Sequence, residues 1–413
     1  MESSIGSFPP YSYWRWNLRI LWVAQLIAMV GMSAFLPFLP LYVRYLGHFA
    51  PPQAQWWSGL LIAAPFITAI LATPVWGIVA DRFGRKLVVV RAAFGLGITV
   101  FLMGLTTSVE TLFVLRLLQG ALSGFIAATT GFVAAETPPQ RVGYALSLLQ
   151  SATATGSVLG PLLGGIISDI VGMQWTFFLV GLLCIISGIT VWRFVRESRK
   201  PGRAGVLSVL TPFRLVVKAP PVLGILGSIV VSQAAMMLPA PIFPLYLEQL
   251  QAPGKFLSTV TGISVGGAGL MMALASPLWA RYAERYGHRR TLLLCTTAAA
   301  AFYAVQALTP HYTLVVISRA LVGAAVAGVL PTFYVLLSTH APAMLRSSVM
   351  GVGSSATLLG NLLGPLLGSI LATSFGMGWV FGISAALMAA LSLVNPQMRW
   401  TVRFLLRLLT SRQ

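Results

Sequence analysis

The chain has 413 residues, 57% of them hydrophobic and only 8% charged, with a mean hydropathy of +0.85. A water-soluble globule cannot hide that much apolar surface, so a soluble fold is excluded and a bilayer-embedded one is expected. The formal net charge of +19 would suit nucleic acid only if a soluble basic domain carried it, and the sequence offers none.

A helix needs ~20 apolar residues to cross the hydrocarbon core. On that rule and the turn residues, spans are predicted at 18–44, 55–79, 86–107, 110–135, 142–168 and 174–196. Six more are predicted at 220–247, 255–280, 290–308, 311–338, 345–372 and 377–396. The chain is therefore read as an all-α membrane protein of twelve transmembrane helices in two six-helix halves, 1–196 and 220–396. A polar linker, 197–219, joins them and includes an amphipathic piece over 206–217 suited to the membrane surface. Trp14, Arg15 and Trp16 form an interfacial anchor ahead of the first span, with no cleavable signal pattern. A tail, 397–413, places Arg399, Arg403 and Arg407 four residues apart beside Trp400, Phe404, Leu405 and Leu408. That is a basic amphipathic helix for the inner leaflet.

Several spans carry special residues. The first holds Gln25, Met29 and Met32, then Pro37-Phe38-Leu39-Pro40-Leu41-Tyr42. A charged turn, Gly77-Ile78-Val79-Ala80-Asp81-Arg82-Phe83-Gly84-Arg85-Lys86, joins the second to the third. The fourth contains Leu115-Arg116-Leu117-Leu118-Gln119-Gly120 and ends at Glu136. The fifth carries Gly156, Gly160, Pro161 and Gly164. The seventh holds Gln233, Met236 and Met237, and the eleventh Asn361. Much of this recurs at an offset of 203 or 204 positions. Pro37, Pro40 and Tyr42 return as Pro241, Pro244 and Tyr246. Trp76 returns as Trp279, and Arg116 and Gly120 as Arg319 and Gly323. Gly156, Gly160 and Gly164 return as Gly360, Gly364 and Gly368. The charged turn reappears as Ala280-Arg281-Tyr282-Ala283-Glu284-Arg285-Tyr286-Gly287-His288-Arg289. One register held over six spans means two parallel halves, with a substrate path between them near the midplane.

Cations sort by side. Only Arg44 and Lys255 fall in loops of one side, and only Arg116 and Arg319 inside spans; the others share the opposite side. Lys and Arg concentrate in cytoplasmic loops, so both termini are expected in the cytoplasm.

Glycines spaced four apart in the fifth span clear one face for close approach, and Pro161 removes a backbone hydrogen bond there. Leucine at Gly160 should be rejected, while alanine should be accommodated. Gly77 and Gly84 are expected to permit close packing and a tight turn. Asp81 suits a helix cap or a guanidinium partner. Arg116, charged within a span, should face a cavity or a partner; Arg319, its repeat mate, reads equally as structural. Only eight Asp and Glu residues exist, none clearly at mid-membrane. Asp81 and Glu136 are the candidate proton carriers, with Glu136 near Arg141, Arg82 or Asp81; its alternative is a surface charge at a helix end. The cysteines, Cys184 and Cys295, are expected as unpaired core residues. His48, His288, His311 and His340 lie far apart, and no GxSxG, HExxH or Walker pattern occurs. No metal, cofactor or enzymatic activity is expected.

The charged turn, the arginine motif of the fourth span and the glycines of the fifth together resemble the signatures of the major facilitator superfamily. The end of the first span is similar to that of twelve-helix bacterial drug:proton antiporters, most like the MdtG-type multidrug exporters. The resemblance implies a major facilitator fold in the bacterial cytoplasmic membrane. It also implies proton-coupled export of small hydrophobic or amphipathic compounds by a monomer among membrane lipids, with no nucleic-acid partner. By resemblance, Gly77, Asp81, Arg82, Gly84 and Arg85 form a conformational latch, and Glu284 with Arg285 a looser copy. Arg116 influences a carboxylate or touches substrate. Gln25, Met29, Met32, Gln233, Met236, Met237 and Asn361 would line the path, the methionines repacking around varied ligands. A lipid flippase or a metabolite or sugar exporter of the same superfamily is the alternative, and a membrane-embedded enzyme a remote one.

Overall fold

A computed structural model describes residues 13–122, 124–197, 220–340 and 346–393, with the side chains of Asp81, 220–221 and 346–348 outside that description. The linker piece over 206–217 and the tail arginines fall outside it too. The described residues form helices and no strand, as expected for a backbone that must satisfy its own hydrogen bonds in lipid.

The first six helical regions are α1 (Trp14–Ala34) with α2 (Leu39–Gly47), α3 (Pro51–Phe83), α4 (Arg85–Met103), α5 (Val109–Leu122) with α6 (Phe125–Glu136), α7 (Val142–Ile170) and α8 (Met173–Phe194). The second set is α9 (Pro220–Met237) with α10 (Phe243–Gln249), α11 (Leu257–Tyr286), α12 (His288–Leu308), α13 (Tyr312–Val326) with α14 (Val329–His340), α15 (Arg346–Phe375) and α16 (Met377–Leu393). Four spans expected to be continuous are each divided in two. The first breaks around Pro37 and the seventh around Pro239 and Pro241, where proline lacks the N–H a helix needs. The fourth breaks at Gly124, whose φ is +99°. Among the described residues, nine helical runs are long and apolar enough to cross a membrane. The other three expected spans are helical as well, but α7 is rich in Gly, Ser and Thr, and the apolar parts of α9 and α16 are shorter.

The apolar surface is placed for lipid. Leu71 is 72% exposed and Val114 60%, values no aqueous surface would sustain along whole helices. Cys184 and Cys295 are buried and unpaired.

The chain divides into two compact units, 1–38 with 64–207, and 39–63 with 208–413. In the first, α1 packs on α7 and α8, and α4 on α8; in the second, α9 packs on α15 and α16, and α12 on α16. Residues 39–63 cluster with the second unit. A Cβ on Gly59 would stand 2.6 Å from Ser369 Cβ, which shows how closely this stretch meets α15.

The repeat is visible in individual contacts. Trp76 Nε1 donates to Ala121 O at 2.8 Å, and Trp279 Nε1 donates to Ala324 O at 2.8 Å. A Cβ on Gly120 would run into Pro65 O, and one on Gly323 into Ala268 O. Each of these residues is shifted by the same 203 positions. Trp76→Phe and Trp279→Phe should each cost about 1 kcal/mol, the worth of one such bond. Thermal denaturation of the detergent-solubilised protein should register the loss, with the ring's packing kept.

Candidate functional site

The glycine face of the fifth span meets α1 directly. A Cβ on Gly156 would stand 2.5 Å from Met29 Cβ, and one on Gly160 would stand 2.7 Å from Val30 O and collide with Ser33 Oγ. One on Gly164 would collide with Ala34 O. The second unit repeats the arrangement. Cβ atoms on Gly360 and Gly364 would each stand 2.6 Å from the Cβ of Gln233 and Met237, and one on Gly368 would collide with Leu238 O. α1 and α7, and likewise α9 and α15, are therefore in backbone-to-backbone contact. The expectation that alanine is accommodated at Gly160 is corrected: a single methyl already meets a main-chain oxygen. Pro161 is buried within a continuous α7. Ser33 Oγ lies 2.5 Å from Met29 O and 3.0 Å from Gly156 O, tying the two helices.

Gln25 is fully buried. Its Nε2 donates to Thr153 Oγ1 at 3.0 Å, and Thr129 Oγ1 donates to its Oε1 at 2.5 Å. One amide thus joins α1, α6 and α7, and both its ends are occupied. Met29 and Met32 are half-buried on the same helix. In the second unit Gln233 is 7% exposed and its Nε2 donates to Asn361 Oδ1 at 3.2 Å. This brings together two of the proposed path residues, with Met236 and Met237 half-buried one turn on.

Arg116 is 4% exposed, as a charge inside a span must be if protein rather than lipid surrounds it. Its Nη1 donates to Gln119 Oε1 at 2.6 Å, and its guanidinium lies 5.6 Å from the centre of the Phe35 ring. Arg319 is half-buried, 5.0 Å from the centre of the Phe243 ring.

The charged turn has a defined internal structure. Gly84 sits at φ +103°, a conformation that favours glycine, and its repeat mate Gly287 sits at +90°. The backbone N–H groups of Arg85 and Lys86 donate to the Glu197 carboxylate at 2.8 and 3.2 Å. A carboxylate thus caps the start of α4, where free N–H groups and the helix dipole favour negative charge. Arg85 Nη1 donates to Gly131 O on α6 at 2.8 Å. Arg82 is exposed beside Phe83. Among the described residues, a Cβ on Gly77 would meet nothing within 4 Å. Glu284 and Arg285 are exposed, the latter 5.3 Å from the Tyr286 ring centre.

Glu136, the last residue of α6, is 3% exposed. The alternative of a solvated helix-end charge is thereby excluded.

Sequence reasoning passed over Glu197, Thr129 and Thr153. It also passed over a pairing of Arg44 with Glu248, which only the sign change at one repeat offset hinted at.

Comparison with known proteins gives a consistent picture. A sequence profile described as the Major Facilitator Superfamily matches residues 21–270 and 225–403. An uncharacterized MFS-type transporter, YuxJ of Bacillus subtilis, is 31% identical over 373 residues, covering 90% of this chain and 95% of the relative. Multidrug resistance protein MdtG of Dickeya zeae is 30% identical over 388 residues, 94% of each chain. Among solved structures, the nucleoside transporter NupG superposes with a TM-score of 0.76 at 15% identity over 92% of this chain and 98% of that one. A bacterial homolog of the human lysosomal transporter Spinster gives 0.76 at 15% identity, over 95% and 98%. At these identities the structures speak for the fold alone.

Proposed function

Since the chain belongs to the major facilitator superfamily, and is thus a multi-pass membrane transporter and not an enzyme, we propose that it exports small hydrophobic or amphipathic compounds in exchange for protons, by alternating access. The observation that carries this reading is the likeness to MdtG, 30% identical over 94% of both chains. The residues suit the task. Half-buried Met29, Met32, Met236 and Met237 offer polarizable, adaptable surface. The few charges within spans favour lipophilic cargo.

In this reading the two repeats rock about the path, and the close-packed pairs α1–α7 and α9–α15 move as rigid elements. The charged turn holds one state. Its Arg85 grips α6, and Asp81 belongs to the last turn of α3. The protein lies in the bacterial cytoplasmic membrane, both ends on the side of the basic loops, and works as a monomer. Glu136 carries the proton.

The test is efflux of a lipophilic cationic dye from proteoliposomes holding this protein alone. An imposed pH gradient should drive it and its collapse should stop it; indifference to the gradient would overturn proton exchange. Within the same assay, Asp81→Asn should insert as the parent does yet lose transport roughly tenfold or more, since an interaction made in only one state sets that state's population. Parental efflux by the variant would remove Asp81 from gating.

A further inference from the structure

α2 and α10 hold equivalent places in the two repeats. Pro40 and Tyr42 correspond to Pro244 and Tyr246, and the same offset takes Arg44 to Glu248. These two mates touch. Arg44 Nη1 and Nη2 donate to Glu248 Oε2 and Oε1 at 2.5 and 2.8 Å, the two-pronged pairing that a guanidinium's planar fork makes with a carboxylate.

Both residues belong to the second compact unit, and both helices are firmly seated. Tyr42 is fully buried and stacks on Tyr45 at 6.3 Å. Tyr246 donates its hydroxyl proton to Gln306 O at 2.8 Å and packs 4.7 Å from the Phe381 ring. The charged groups are thus presented by fixed backbone rather than by loose loops.

Repeat mates related by a two-fold operation approach each other only beside its axis. The transport path of such a fold runs along that axis. Had the repeats kept one residue at this position, two like charges would face each other and push the helices apart. Opposite signs turn the same contact into an attraction. Arg44 is also one of only two cations read into the loops opposite the basic side, so topology does not account for it.

We propose that Arg44 and Glu248 form a clasp that holds the path shut at its outer mouth, on the side opposite the basic loops. It opens when the charged turns on the other side close. The clasp rests on the transport reading for the path it closes. Its strength suits a gate: the side chains are 38% and 39% exposed, and partly exposed ion pairs are worth little enough to be broken in each cycle.

The test reads accessibility, which does not depend on knowing the cargo. A single thiol is introduced by Met32→Cys, and a membrane-impermeant maleimide is applied from outside; the native Cys184 and Cys295 are buried. Arg44→Gln and Glu248→Gln should each speed labelling about fivefold, the population shift a pair of ordinary strength gives. The exchange Arg44→Glu with Glu248→Arg should return labelling to the parental rate. Arg44→Lys, which keeps the charge but loses the second prong, should fall between. Parental labelling in both single variants, or an exchange variant that labels as fast as they do, would overturn the clasp. Should a single variant insert poorly, the exchange and lysine variants still decide, because they keep both charges. A parent that fails to move any dye would sink the transport reading while leaving this labelling pattern intact.

Discussion

Gly160→Leu should leave no measurable efflux, and Gly160→Ala should already reduce it. The reason is steric. A Cβ at this position would stand 2.7 Å from Val30 O and collide with Ser33 Oγ. A side-chain end can swing aside; a main-chain oxygen within α1 cannot move unless the whole helix does. Overpacking of this kind costs typically ~1–3 kcal/mol for small additions and more for large ones. Here the cost has a functional form. Pushing α1 off α7 separates Ser33 from Gly156 O and strains the tie from Gln25 to Thr153, so Met29 and Met32, proposed to line the path, are displaced with it. Gly364→Leu should behave alike, because its Cβ would stand 2.6 Å from Met237 Cβ. Gly224→Ala is the control, since no described residue lies within 4 Å of the added methyl. Efflux normalised to the amount of inserted protein separates packing damage from lost expression. Parental efflux by Gly160→Leu would mean that α1 and α7 do not stay together during transport.

The part of this architecture legible in the sequence is the part encoded in short spacings. Glycines four apart, matched half a chain later, already specify which helix faces must meet closely, and α1–α7 and α9–α15 meet on those faces. The turn at Gly84 was readable for the same reason, because a positive φ restricts residue choice locally. The breaks within the first, fourth, seventh and tenth spans were not, since hydropathy runs smoothly through them and α5 and α6 read as one apolar stretch. Nor could polar residues in mid-span be assigned. Gln25 looks the same in sequence whether it faces a substrate or two threonines, and its bonds to Thr129 and Thr153 depend on residues more than a hundred positions away. Glu197 escaped for a similar reason: it caps a helix 112 positions earlier in the chain. Gly77 shows the other side of this: its small size suggests a close neighbour, and among the described residues none lies within 4 Å of a Cβ there.

Glu136→Gln should uncouple transport from the proton gradient while leaving substrate binding close to that of the parent. Gradient-driven efflux is expected to fall to roughly a tenth or less, with ligand affinity changed by no more than about twofold; losses confined to one of the two quantities are what identify the step a residue serves. Glu136 is 3% exposed, held within the protein at the end of α6. A change there has a route to the neighbouring helices. Five positions earlier on the same short helix, Gly131 O accepts a hydrogen bond from Arg85 of the charged turn, and Thr129 holds Gln25 of α1. α6 therefore links the candidate proton site, the candidate latch and the helix beside the path. Neutralising Glu136 permanently should fix that link in its protonated condition. Arg116→Ala should act differently and weaken binding and efflux together. It removes a buried cation that holds Gln119 and lies beside Phe35, and it leaves the Gln119 carbonyl oxygen short of a donor at about 1–3 kcal/mol. Fluorescence titration of a bound dye and gradient-driven efflux, measured on one preparation of each variant, separate the two. Full pH-driven efflux in Glu136→Gln would show that its burial serves packing at the end of α6, and coupling would then pass to Asp81, to Asp169 or to a proton carried by the substrate itself.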